Sequence, residues 1–535
     1  MKRIALLISG VLANASVSAA TFVVTQFGDP PVNGCTANDC TLREAVLAAN
    51  ATAAPDVIVL QTGTYSLTSF CATDTPNCLD LDITQPLTIE GQGSSNTEIT
   101  TTIPSNVSPN IADVGNTRLI EASAPLTLRN LRLRKGFVRS SWLYTGFGGC
   151  LLVRDAASVL ENVVVSECRA TSSPFASGGG IAIIGAVSQW QNVTVRNSDA
   201  DFGGGVHVVN GNDQPLAQLL GNNVLITANR ARYGGGVNLS RASLALDQGS
   251  RITRNSADYG GGLDAYRPAF VRGSSKSLLE ISGNVADTES CGGVRIRDES
   301  SYYNFPTRNI ALSHLRVQDN VASKSGGGMC ITSLGSAPLG TVSLQQSAFA
   351  RNTGADNGGG LLLNSAESSP YIVLDQVSLW QNQAARGGAL RSLGAVALRH
   401  VSSYANPSNG GAFDIGGRSS IAFTTSLADT GSIDTSGTVE LAASVMTAKC
   451  TGSVSDAGNN FVLQSIGCPG VSTTSEKLSL AFADYGGPYP LVGIAQPISI
   501  LRDLLPPIAG EPDVRGWLRQ NQLDVGAHEY DAIAP

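Results

Sequence analysis

The sequence predicts an all-β fold, a single-stranded parallel β-helix with a helical cap at its N-terminal end and an irregular cap at its C-terminal end. The first observation behind this is a repeated phrase. Asn255 to Leu263, with Gly260-Gly-Gly262 inside it, returns as Asn229 to Val237, Asn320 to Met329 and Asn352 to Leu361, and such repetition marks a repeated unit of structure. The residues that follow the glycine runs are Cys150, Ile181, Val206, Val237, Leu263, Val294, Met329, Leu361, Ala389 and Ala412. Their mean spacing of about 29 residues suits one coil of a β-solenoid. The second observation comes from aligning the coils on those residues. Each such residue and the one two places on are apolar, as in Val206 and Val208, while the residue between is often polar: His207, Asn238, Asp264, Arg295. That alternation describes a strand with one face in a core and the other in water. The third is a column of Asn197, Asn229, Asn255, Asn284, Asn320, Asn352, Asn382 and Asn406, where Asn is expected to take a left-handed corner and bond the next coil through its amide.

Composition fits this architecture. The chain's 535 residues exceed one ordinary core, but a solenoid grows lengthwise, and 59 Gly with only 14% charged residues suit a turn-rich β protein. Residues 1–20 read as a signal peptide: Met1-Lys-Arg3, an apolar run from Ile4 to Val17, then Ser18-Ala-Ala20. The mature chain is expected to begin at Thr21, secreted and either extracellular or on the outer cell surface. Without Lys2 and Arg3, 33 basic residues face 42 acidic ones, so overall charge attracts no nucleic acid. No later apolar run has the length of a membrane-spanning helix. Ten cysteines fit an oxidising destination. Closeness in sequence suggests the pairs Cys35 with Cys40, Cys71 with Cys78, Cys150 with Cys168 and Cys450 with Cys468; Cys291 and Cys330 remain, one coil apart but out of column. Neither the cysteines nor His207, His314, His400 and His528 have metal-ligand spacing, so no metal and no cofactor is expected.

Residues 21–125 form the N-terminal cap and first coils. Thr41 and Glu44 make a capping box, after which Leu42, Ala45, Val46 and Ala49 share one helical face. Such a helix can lie across the open end of a solenoid and shield its apolar cross-section. Cys35, the run Cys40-Thr-Leu-Arg-Glu-Ala-Val-Leu-Ala-Ala-Asn50, the strand Asp56 to Leu60 and Gly63-Thr-Tyr65 resemble the bacterial domain named for its Cys-Ser-Leu-Arg-Glu-Ala motif, with Thr41 in place of Ser. That resemblance implies a right-handed helix, and Arg43 and Glu44 are read as fixing the cap.

Residues 126–425 are the parallel β-helix. Arg129, Arg132, Arg134, Lys135 and Arg139 are read as an outward, solvated strand face. The Asn and Gly-Gly phrases, as in Phe349 to Asn352 followed by Gly359-Gly360, resemble repeats of polymorphic outer-membrane proteins, which implies an adhesive role. The gap from a glycine run to the next Asn varies far more than the gap that follows it, so insertions belong on one side, where variable loops line a functional face. Asp298 to Pro306, with Tyr302 and Tyr303, is a candidate binding loop. In residues 426–535 the repeat is lost. Ala481 to Pro488, Asp513 to Gly516 and Leu523 to Tyr530 resemble the closing region of choice-of-anchor Q proteins, and Asp524 and Glu529 are read as structural.

Two functions compete. The favoured one is a secreted or surface-attached, non-enzymatic solenoid that adheres through, or binds, a polysaccharide or a host or cell-surface glycan. The alternative is a polysaccharide lyase or glycoside hydrolase on an extracellular polysaccharide. Stacked about 4.8 Å apart, His207, Asn238, Asp264 and Arg295 make a polar row that Tyr266 and Arg297 widen. Asn238, Tyr266, Arg297, Tyr302 and Tyr303 would bind, and in the enzymatic case Asp264 would be the general acid or base with His207 or Arg295 as its partner. A second row, Asp201, Arg232, Asp258, Glu289, Lys324 and Asp356, alternates in charge and is read as a structural ladder, with Phe202, Tyr233 and Tyr259 beside it as corner packing. The pattern sets no oligomeric state.

Overall fold

The computed structural model describes residues 18–534 except 70–79, 102–116, 141–145, 173–174, 211–216, 299–308, 334–339, 366–371, 428, 430–431, 448, 464–466, 497–498, 509–510 and 520–521. Most of the signal peptide, Cys71, Cys78, Tyr302 and Tyr303 therefore lie outside the described residues. The chain is a parallel β-helix. One coil runs through a first face at Val237–Ser240, a second at Ser243–Asp247, a third at Arg251–Thr253 and a short fourth segment at Ser256–Tyr259, then turns through glycines into the next first face at Leu263–Tyr266. Every coil pairs in parallel with the one before and after it: Val206 with Val237, Val237 with Leu263, Leu263 with Val294. These four residues have no accessible surface and form one interior file; each fully buried side chain of this size contributes about 1.5–3 kcal/mol.

Two alignments shift by one residue. Leu151 pairs with Ile181, Leu361 with Leu390, and Leu390 with Phe413, so Cys150, Ala389 and Ala412 are not in the file but one place ahead of it. They stand where other coils have a third glycine, and their small side chains fit there. The Asn column also corrects. Among its members only Asn197 has a positive φ, whereas from Asn229 onward the residue before the Asn turns left-handed, as at Ala228, Arg254 and Asp319. It is Ser198, not Asn197, whose backbone NH donates to Asn229 at 3.0 Å. The Asn side chains point inward and form a buried ladder. Asn320 Nδ2 donates to the Asn352 amide oxygen at 3.0 Å and to the Ile281 carbonyl at 2.9 Å, while its own Oδ1 accepts from the Asn284 backbone and amide. The same pattern links the column from Asn229 to Asn406. Inside a core these bonds satisfy polar groups that would otherwise be stranded.

The helix Leu42–Asn50 has both halves of its capping box and buries Leu42, Ala45, Val46 and Ala49. Arg43 is buried with it, gripping Asp29 at 2.8 Å and the Asp80 carbonyl at 3.0 Å. Disulfides join Cys35 to Cys40, Cys150 to Cys168, Cys291 to Cys330 and Cys450 to Cys468. The C-terminal region lies along the flank of the later coils. Tyr489 donates to the Gln376 carbonyl at 2.6 Å, the Val492 NH to Ser402 at 2.6 Å and the Ala527 NH to Thr425 at 2.9 Å. Within it Arg519 pairs with Glu529 at 3.2 Å, and Asp524 accepts the NH groups of Asp503 and Tyr530, so both carboxylates hold backbone together. Among the described residues no helix is long and apolar enough to cross a membrane.

Candidate functional site

The row His207, Asn238, Asp264 and Arg295 is in register, yet it does not face water. The fourth segment and glycine turn of each coil fold back over the first face and bring Phe202, Tyr233 and Tyr259 above it. Their rings stack 5.0 and 5.3 Å apart with planes 13° and 8° from parallel. Under this roof Asp264 has no accessible surface; its carboxylate accepts from Asn238 at 3.0 Å and Arg297 at 2.8 Å, with Arg295 at 3.8 Å. Arg295 lies 4.5 Å from the Tyr259 ring, and Arg297 lies 5.9 and 5.7 Å from Tyr233 and Tyr266. His207 packs against Phe147 and Phe202. Burial lowers its imidazole to about 4, against the opposing hydrogen bond of Asn238. A general acid or base must reach its substrate's proton, and Asp264 as placed reaches only protein. The structure thus unites the row with Tyr266 and Arg297 as a covered polar spine.

The other charged rows make contacts on the surface, some of them ion pairs. Lys324 meets Glu289 at 2.6 Å, and Arg232 lies over Tyr233 at 5.2 Å. Arg129 pairs with Glu161 at 2.7 Å and Arg134 with Glu167 at 3.0 Å, as expected of an outward face.

Open space lies elsewhere, at the corner between the second and third faces. Asn130, Asn162, Asn192 and Asn223 hold this left-handed corner in early coils, followed by His314, Gln346, Gln376 and His400 in later ones. Beside His314 and Gln346 the C-terminal region stands off the coils and leaves a cleft of about 570 Å³, lined by Lys276, Glu280, His314, Arg316, Gln346 and Trp517 among others. A second hollow of about 400 Å³, with Asp247, Arg272 and Ser274 on its walls, shares His314 with the first. Between the two stands a turn in which the Ser274 and Ser277 backbones bond each other at 2.9 and 3.1 Å, with Lys276 exposed in it. This insertion falls in the variable part of the repeat. The opposite wall is glycine-rich: Gly516 has φ 81°, and a Cβ there would press on Gln346 at 3.1 Å. Burial lowers the His314 imidazole, with Gln346 opposing and the Arg272 charge reinforcing, so the ring is neutral at neutral pH and offers a donor and an acceptor. The two volumes suit ligand sites, and their polar, aromatic-bearing walls suit a hydroxyl-rich chain.

Tyr302 and Tyr303 lie outside the described residues, and among the described ones none that the sequence singled out as binding or catalytic lines this cleft. Its signal was the second left-handed corner column, visible as Asn130, Asn162, Asn192 and Asn223 at coil spacing.

No protein-family model matches the chain, and no curated protein matches it significantly. Solved structures similar to it include the catalytic unit of a thermostable GH87 α-1,3-glucanase from Streptomyces thermodiastaticus (TM-score 0.33, 12% identity, covering 89% of this chain and 73% of that one). A mannuronan C-5 epimerase A-module from Azotobacter vinelandii has TM-score 0.29 and 13% identity over 84% of this chain and 100% of that one. A surface adhesin of Streptococcus pneumoniae has TM-score 0.34 and 10% identity over 72% and 91%. These are partial overlays of weakly similar chains.

Proposed function

We propose that the mature chain is a secreted or cell-surface solenoid that binds an extracellular glycan without cleaving it, and that it does so in the flank cleft. The observation that carries this reading is the pair of hollows joined at His314. The second hollow crosses the coil strands bearing Ala245, Arg272 and Ser313, which are neighbours in register, and strands step about 4.8 Å, so the site is long in the direction of the coil axis. An elongated polar trough with an indole at one end fits an extended chain of sugar rings better than a compact metabolite. The disulfides support an oxidising compartment. Burial of Asp264 weighs against the lyase or hydrolase reading centred on it.

The test is incubation of the mature protein with plant, algal and bacterial polysaccharides, scoring retention and released product separately. Retention without new chain ends is expected. Product release that Asp264→Asn abolishes would overturn the proposal.

A further inference from the structure

We infer that the cleft takes an anionic polysaccharide, one bearing carboxylate or sulfate groups, with Arg272, Lys276 and Arg316 meeting its charges and Trp517 meeting a ring; this rests on the glycan-binding reading above. The inference comes from how the charged groups of the cleft are occupied. Its two carboxylates are engaged inside the protein. Glu280 accepts the Ser282 hydroxyl at 2.7 Å, and Asp247 accepts the Ser274 hydroxyl and, at 2.7 Å, the Gln248 backbone NH. Of the four cations on its walls, Arg515 is paired with Asp513 at 2.6 Å; among the described residues Arg272, Lys276 and Arg316 make no ion pair, although Glu280 is the register neighbour of Arg316. Arg316 donates to the Pro488 carbonyl at 2.9 Å, Arg272 lies 4.7 Å from the Phe270 ring, and both Arg272 and Lys276 are exposed. The chain as a whole carries a net charge of −7, and on the early coils the outward arginines Arg129 and Arg134 find glutamates. With Arg515 paired, three cations remain against two carboxylates, and the carboxylates face protein hydroxyl and NH donors, so the balance of open charge favours an anion over a neutral chain.

Spacing adds a second argument. Arg272 and Ser313 are register partners, so Arg316 belongs to the coil after that of Arg272 and Lys276. Charges on successive coils are offset along the axis by about one strand step of 4.8 Å, comparable to the advance of one residue in an extended polysaccharide. A polymer with an acid group on each ring can therefore meet the cations in succession. His314, kept uncharged between them, serves ring hydroxyls. Gly486 packs against the Trp517 indole, where a Cβ would lie 2.9 Å from the ring, and the Arg515 guanidinium lies 4.0 Å from its centroid, so the half-buried indole offers the cleft only its remaining surface.

The experiment titrates the whole mature chain with an oligogalacturonate, its fully methyl-esterified counterpart, a dextran sulfate oligomer and a neutral dextran oligomer. At least one anionic probe is expected to bind roughly tenfold or more tighter than its neutral counterpart, with affinity falling as salt rises from about 50 to about 500 mM. The tighter of the two anions assigns carboxylate or sulfate. Lys276→Gln, in an exposed turn where folding is not at stake, is expected to weaken that binding roughly fivefold, and the Arg272→Gln, Lys276→Gln, Arg316→Gln combination roughly a hundredfold. Binding in which neither anionic oligomer is held more tightly than its neutral counterpart would sink the inference and leave glycan binding standing. So would anion binding that none of these variants alters. Failure of every probe together with every polysaccharide of the wider panel would sink both.

Discussion

At the corner leading out of the third face, Ala228, Arg254, Asp319, Arg351 and Gln381 hold φ values of 51–56°, and each precedes an Asn whose side chain is buried. At the corner between the second and third faces, Asn130, Asn162, Asn192, Asn223, His314, Gln346, Gln376 and His400 hold φ values of 46–58° and are themselves the turning residue. The backbones are alike and the side-chain surroundings are not. At the first corner the amide points inward, where the bonding demand is set by the coil above and is the same in every coil, so the sequence repeats. At the second it points outward, and the demand is set by whatever lies outside. Early coils meet water, and exposed Asn162 and Asn192 bond their neighbours at 2.9 Å. Middle coils meet the cleft, and late coils meet the C-terminal region. Chemistry varies along the molecule where the fold leaves it free to.

The sharpest way to break that contrast is at the inward corner. Asn320→Ala removes the acceptor for the Asn284 NH and amide and the donor to the Ile281 carbonyl, all buried. Leaving such groups unsatisfied is expected to cost about 3–5 kcal/mol in urea unfolding. A loss below about 1 kcal/mol would make the two corners energetically equivalent.

The next effect lies where the outward corner is covered. His400 bridges Asp375 at 2.7 Å and Glu511 at 2.8 Å, and Arg399 reaches Glu511 at 2.6 Å, tying the C-terminal region to the coils. Burial raises the Glu511 carboxyl, but hydrogen bonds from His400 and Arg399 outweigh it and bring the group to about 2 from an ordinary 4.5. Because the folded value is the lower one, the stabilisation is fully present above pH 4.5 and is lost as pH falls through about 2. Glu511→Gln is expected to cost about 2–3 kcal/mol at neutral pH and to flatten that acid limb. Limited proteolysis of the C-terminal region from pH 7 downward checks both. An unchanged acid limb in the variant would show that the latch is not Glu511.

How much of this was legible in the sequence follows the same division. The interior file, the glycine turns and the capping box at Thr41 and Glu44 are local, repeated demands, and they read correctly. Cys150, Ala389 and Ala412 misread by one place because they are apolar enough to pass for core and small enough to stand in for glycine. The row from His207 to Arg295 read correctly as to register and not as to exposure. Its roof of Phe202, Tyr233 and Tyr259 was visible only as a separate stack, since nothing in a strand's alternation says what folds over it. The corner column was legible at Asn130, Asn162, Asn192 and Asn223, but the cleft beside it was not: it needs Lys276 and Trp517 on the walls of one space, two distant stretches of chain that no repeat brings together.

The smallest effect tests the contrast from its other side. Asn162→Ala removes two solvent-exposed amide bonds, whose groups turn to water instead, and places Ala at φ 55°. Only the backbone penalty survives, about 1 kcal/mol at most. Asn162→Gly removes the same amide but tolerates the left-handed turn, so it is expected to lie within about 0.5 kcal/mol of the parent in the same urea titration. The difference between these variants then measures the corner's backbone alone. If Asn162→Gly were as damaging as Asn320→Ala, the exposed ladder would be stabilising the coils as strongly as the buried one, and burial would not be what separates the corners.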